Sequence, residues 1–132
     1  MAKGAGVRVW PTLRYRDASA AIDFLVRAFG FHKGVVHRGE TPGSVAHAEL
    51  RWPGGGGVML GSARDDSVIA DLPPGTGSVY VVVNDPAALL ERAKAAGATV
   101  VQGLTQEDHG SRGFTVRDPE GVFWTFGTYP GA

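Results

Sequence analysis

Apolar residues recur along the chain with two spacings, and the switches between them divide it into elements. Residues 7–16 mix β-branched, aromatic and arginine side chains, which predicts a strand whose faces meet different surroundings. The spacing then becomes helical, with Ile22, Leu25, Val26 and Phe29 at i, i+3, i+4 and i+7. Asp17 is placed to cap the free amides at the start of this helix, and Gly30 to stop it in the left-handed conformation. Three strands follow, at about residues 33–38, 44–52 and 57–62, separated by Thr41-Pro-Gly and Pro53-Gly-Gly-Gly turns.

The same order then returns. Residues 64–76 contain Asp65-Asp66 and Pro73-Pro74-Gly75 and read as a polar linker. Residues 78–84 are a β-branched run, and Asp85-Pro86 supplies a cap followed by proline at the first helical position. Leu89, Leu90, Ala93 and Ala96 form the apolar stripe of this second helix, and Gly97 ends it. Three further strands fall at about residues 99–103, 111–117 and 122–128, the last two joined by Asp118-Pro-Glu-Gly. Matched punctuation, Asp17 with Asp85 and Gly30 with Gly97, marks an internal repeat of about 65 residues. The expectation is a single α+β domain over residues 1–132. Module one spans about 7–63, the linker about 64–76 and module two about 77–129. Two tandem βαβββ modules, each with its helix on the convex side, would form a curved, barrel-like mixed sheet around a cleft.

Composition narrows the chemistry. The 132 residues include no cysteine, which excludes thiolate metal sites, iron–sulfur clusters, thiol nucleophiles and a disulfide framework. Thirteen Lys plus Arg balance thirteen Asp plus Glu, so no net field draws the chain to nucleic acid or to an anionic membrane. With no apolar stretch of signal-peptide or membrane-spanning length, the expected location is the cytoplasm. Gly-x-Ser-x-Gly, His-Glu-x-x-His and Gly-Lys-Ser/Thr phosphate-loop patterns are absent. The Gly54–Gly57 run precedes a strand, whereas a dinucleotide loop opens a helix.

Three stretches carry a resemblance: Pro11 to Phe31, His47-Ala-Glu-Leu-Arg51, and Arg117-Asp-Pro-Glu-Gly-Val-Phe-Trp-Thr-Phe-Gly-Thr-Tyr129. Together they resemble the vicinal oxygen chelate superfamily, the group of glyoxalases, bleomycin-resistance proteins and extradiol dioxygenases. The resemblance implies paired βαβββ modules, a homodimer and, in some members, exchange of modules between chains. In metal-dependent members it implies a divalent ion held by His, Gln or Glu on the first and last strands of each module. Motif alignment brings Trp10, Leu60, Val79 and Thr125 to those positions, and none is a good ligand. A slip of one residue brings in Val9, Pro11, Met59, Gly61, Ser78, Tyr80, Trp124 and Phe126, again without a carboxylate or imidazole.

Histidines elsewhere offer less. His37, His47 and Glu49 fall on neighbouring strands and make a possible two-histidine, one-carboxylate set, read here as solvated. His32 follows a helix end, and His109 beside Asp108 is a minor acid–base candidate in a loop. The expected function is therefore metal-free and cofactor-free binding, or sequestration, of a small hydrophobic or aromatic compound such as an antibiotic. The ligand-binding residues expected are Trp10, Thr12, Leu60, Val79, Val81, Arg112, Phe123 and Thr125, with Thr12, Thr125, Arg14 or Arg112 fixing orientation. No residue is assigned a catalytic role. The alternative is a lyase, isomerase or dioxygenase using a divalent metal or acid–base residues such as His47, Glu49 or His109.

Overall fold

The computed structural model describes residues 6–107 and 110–131. Module one contains β1 Thr12–Tyr15, α1 Ala18–Phe24, which continues into a π-helical turn Leu25–Phe29, β2 His32–Arg38, β3 Val45–Arg51 and β4 Gly57–Ser62. Module two contains β5 Ser78–Val82, α2 Pro86–Ala95, β6 Thr99–Gln106, β7 Arg112–Arg117 and β8 Phe123–Gly127. The strand orders are β1-β4-β3-β2 and β5-β8-β7-β6. In each sheet the first strand pairs parallel with the last, and the other pairs are antiparallel. The repeat read from punctuation is thus a repeat of topology.

Both helix starts are capped as their sequences predict. The Asp17 carboxylate accepts from Ala20 N–H at 3.0 Å and the Asp85 carboxylate from Ala88 N–H at 3.1 Å. Gly30 stops the first helix at φ 92°, a conformation that costs glycine no Cβ clash. The first strand is shorter than the apolar pattern. Pro11 has no N–H to donate, so the parallel ladder opens at its carbonyl, which accepts from Met59 N–H at 2.9 Å.

Strand alternation sends Leu13, Tyr15, Ala48, Leu50, Val58 and Leu60 toward α1, where all are buried. In module two Val81, Phe114, Val116, Trp124 and Phe126 are buried on the equivalent side. The two sets meet in one core. Phe29 lies 5.3 Å from Trp124 and 4.8 Å from Phe126, and Phe31 lies 5.0 Å from Trp52. Burying each such ring contributes about 1.5–3 kcal/mol. Arg92 on α2 closes the seam by donating to the carbonyls of Arg27 and Val26 at the end of the first helix, the latter shared with Gly30 N–H.

A polar clasp adds to this seam. Asp118 is 4% exposed, and its carboxylate accepts from Tyr15 Oη at 2.6 Å and Trp124 Nε1 at 3.0 Å. The backbone amides of Glu120, Gly121 and Val122 also donate to it. Glu120 reaches the other way, accepting from the amides of Arg16 and Asp17 at 2.6 and 2.8 Å. Asp118-Pro-Glu-Gly is therefore a hairpin turn that fastens module two to the end of β1.

Because both helix-bearing sides share one core, the opposite, concave faces stay open. The two sheets share no ladder within the chain, so the barrel-like closure expected from the repeat is not made by one copy. Among the described residues no helix is long and apolar enough to cross a membrane.

Candidate functional site

Register decides what each concave face displays. In module one Thr12 pairs with Met59 and Met59 with Glu49, so these three form a rung across the face. Alternation adds Trp10 and Arg51 on one side of the rung and Arg14 and His47 on the other. Arg51 lies over the Trp10 ring at 5.5 Å and pairs with Glu49 at 3.5 Å. Glu49 also meets His47 Nε2 at 3.0 Å, and His37 stacks on His47 at 6.4 Å.

In module two the matching rung is Tyr80, Thr125 and Thr115. The two threonine hydroxyls share a hydrogen bond of 2.8 Å, and Tyr80 Oη donates to the Tyr129 carbonyl at 2.8 Å. Partial desolvation holds the Tyr80 phenol above its ordinary value, so it stays a protonated donor. Phe123 is on the same face beneath Arg117, 4.6 Å from its ring centre. A depression of about 330 Å³ lies here, lined by Tyr80, Arg112, Thr115, Thr125 and Tyr129 among others. A second, open groove of about 660 Å³ runs between the modules, from Phe31, Trp52 and the Gly54–Gly57 turn to β5.

The residues expected from sequence are dispersed among these surfaces. Arg112 and Thr125 share the depression. Phe123 lies near it, and Trp10 and Thr12 are on the module-one face. Val79 and Val81 line the groove between modules and sit on the side opposite Thr125, because they pair with the buried Trp124 and Phe126. Leu60 is 3% exposed and packs toward α1, so Met59, one residue earlier, takes the concave position.

The departures at Val79 and Val81 have one origin. Counting seven residues back from Asp17 reaches Trp10, whereas only six back from Asp85 reaches Val79. A uniform count of seven lands on Ser78 and brings Tyr80 onto the concave face, the residue that sequence reasoning left out as a ligand contact. Tyr129 and Thr115 carry no such local signal.

The metal positions of the resemblance can now be tested on donor chemistry. On the concave faces they are Trp10, Met59, Ser78 and Thr125, with Thr12 and Tyr80 beside them. An indole, a thioether and neutral hydroxyls do not fit a hard divalent ion, which takes carboxylate or imidazole donors. Glu49 is near Met59 but is already engaged by His47 and Arg51. Among the described residues no three His, Asp or Glu side chains converge as a metal site would require. His32 is exposed at the start of β2, and Asp108 and His109 lie outside the described residues.

Topology and comparison agree on ancestry. The family description that matches, over residues 8–126, is the Glyoxalase/Bleomycin resistance protein/Dioxygenase superfamily. The chain belongs to this superfamily. Among its relatives, an uncharacterized protein of Mycobacterium bovis is 35% identical over 129 residues, covering 89% of this chain and 80% of that protein. TioX from Micromonospora sp. ML1 superimposes with a TM-score of 0.76 at 36% identity, covering 92% of this chain and 98% of that one. A superfamily enzyme from Burkholderia phytofirmans PsJN has a TM-score of 0.70 at 17% identity, covering 89% of this chain and 94% of its own, a likeness of fold.

Proposed function

We propose that this superfamily member is a metal-free binding protein that holds a small hydrophobic or aromatic compound, such as an antibiotic, against its concave faces. The observation that carries this reading is the donor set. Trp10, Met59, Ser78 and Thr125 offer contact area and hydroxyls where a metal-dependent relative would offer imidazole, amide or carboxylate ligands. Tyr80 and Phe123 support it, being 47% and 37% exposed on a concave surface with polar neighbours.

Aromatic groups so exposed also favour a partner surface, and the working form in this reading is a homodimer in which each open face is covered by the other copy. Light scattering on the purified protein tests that part. The binding claim is tested by elemental analysis of protein purified without chelator, followed by a thermal-shift screen of aromatic compounds. No stoichiometric divalent metal is expected, and bound compounds raise the melting temperature by mass action. One tightly held iron, nickel or zinc per chain would overturn the reading.

A catalytic alternative rests on one contact. Glu49 holds the His47 imidazole at 3.0 Å, as a carboxylate orients a general base. Under that reading His47→Ala abolishes turnover of a bound compound, while under the binding reading it leaves retention of the compound intact.

A further inference from the structure

Among the described residues, the module-one face carries a cation without an ion-pair partner. The Arg14 Nε atom is buried and meets no acceptor, and none of the ion pairs among the described residues includes Arg14. A guanidinium cannot shed its charge near neutral pH, and a desolvated donor left unpaired is costly. The backbone makes room for it: Gly61 pairs with Arg14 across the β1–β4 ladder, and a Cβ there would lie 2.6 Å from Arg14 Nη1. Arg14 Nη1 thus sits against a glycine, on the same concave face as Trp10, Thr12 and Met59.

The neighbouring charges do not neutralise it. Glu49 is shared between His47 and Arg51, so the carboxylate of this rung is already engaged. Arg51 is already occupied by Glu49 and the Trp10 ring. In module two the position matching Arg14, three residues before the helix cap, is Val82, and it too pairs with a glycine, Gly127. The matched position of module two therefore carries no cation.

We infer that the bound compound carries an oxyanion, a carboxylate on or beside its aromatic ring, and that Arg14 receives it. The inference rests on the binding reading above and adds the charge of the ligand to it. The guanidinium fork matches a carboxylate with two parallel hydrogen bonds, and the Trp10 ring and Met59 offer apolar contact on the same face.

The test compares two probes of one shape, 2-naphthoate and 2-naphthalenemethanol, by isothermal titration calorimetry against the wild-type chain, Arg14→Met and Arg14→Lys. The wild type is expected to bind the acid at least tenfold more tightly than the alcohol. Arg14→Met brings that ratio to about one. Arg14→Lys, which keeps the charge but loses the fork, retains part of the preference. Circular dichroism and the melting temperature verify that each variant is folded. Equal affinities in the wild type, a preference for the alcohol, or an acid preference that survives in Arg14→Met overturns the inference and leaves the aromatic-binding reading standing. Failure of both probes to bind overturns the two together.

Discussion

Module one and module two have the same strand order and the same rungs, yet they invest matched positions differently. The module-one face is ionic: Arg14, His47, Glu49 and Arg51 surround Trp10 and Met59. The module-two face replaces them with Val82, Thr115 and Arg117 around Tyr80, Phe123 and Thr125. Their turns differ in the opposite sense. The turn before β4 is a glycine run, whereas the turn before β8 holds a buried carboxylate with five donors around it. A duplicated frame has thus divided its labour, with ionic side chains concentrated on the face of the first half and the fastening of the halves in the second.

The largest predicted effect tests the fastening. Asp118→Ala leaves Tyr15 Oη, Trp124 Nε1 and the amides of Glu120 and Val122 to find new partners, while Gly121 N–H keeps the Asp118 carbonyl, and is expected to cost about 4 kcal/mol or more in urea unfolding. Gly54→Ala, in the matched turn of module one, meets only the edge of the Trp52 ring at 3.4 Å and should stay within about 0.5 kcal/mol. Comparable losses at both turns would erase the contrast.

Next comes Tyr15→Phe, expected to cost about 1–2 kcal/mol because Asp118 loses one of its donors. It also has a pH signature. Burial, and after it the Asp118 carboxylate, hold the Tyr15 phenol far above its ordinary value of 10.0. The unfolded chain releases this proton near pH 10 and the folded chain does not, so the stability it contributes is complete below that pH and is lost as pH rises beyond it. Equilibrium unfolding across the alkaline range should show the decline in the wild type and a flatter limb in Tyr15→Phe.

Smaller effects separate the two faces. Gly61→Ala drives a methyl against Arg14 Nη1 and against the Ala46 carbonyl at 2.9 Å, and is expected to cost about 1 kcal/mol. Gly127→Ala meets the far end of the Tyr80 side chain at 2.7 Å and the Arg112 carbonyl only at 3.2 Å, so a cost below about 1 kcal/mol is expected by the same scale. Thermal unfolding of the pair ranks them. Smallest in its effect on folding, Phe123→Ala should weaken aromatic ligands by about 0.5–1.5 kcal/mol with little change in melting temperature, read by calorimetric titration.

Much of this architecture is written locally. Asp17 and Asp85 cap, Gly30 and Gly97 terminate, and the proline–glycine turns separate strands that the structure places where their patterns predict. What fails is anything that depends on register or on distant partners. One residue of slip sends Leu60 and Val79 to the wrong side, since neighbouring strand positions face opposite ways and both are apolar. The widened turn at Leu25–Phe29, which carries Phe29 onto Trp124 and Phe126, has the same 3.6-residue pattern in sequence as an ordinary helix end. Tyr15 and Asp118 are 103 residues apart, and nothing near either one names the other. The ionic character of the first face was partly legible in His47-Ala-Glu-Leu-Arg51, but the orphaned guanidinium of Arg14 needed the glycine across from it to be seen.

The clasp at Asp118 and Glu120 lies on the helix side and at the strand ends, away from the rungs that would touch a ligand. A protein engineer could therefore rewrite Thr12, Met59, Thr115 or Thr125 as a recognition alphabet while leaving the locking chemistry untouched, and turn one chassis into receptors for many different cargoes.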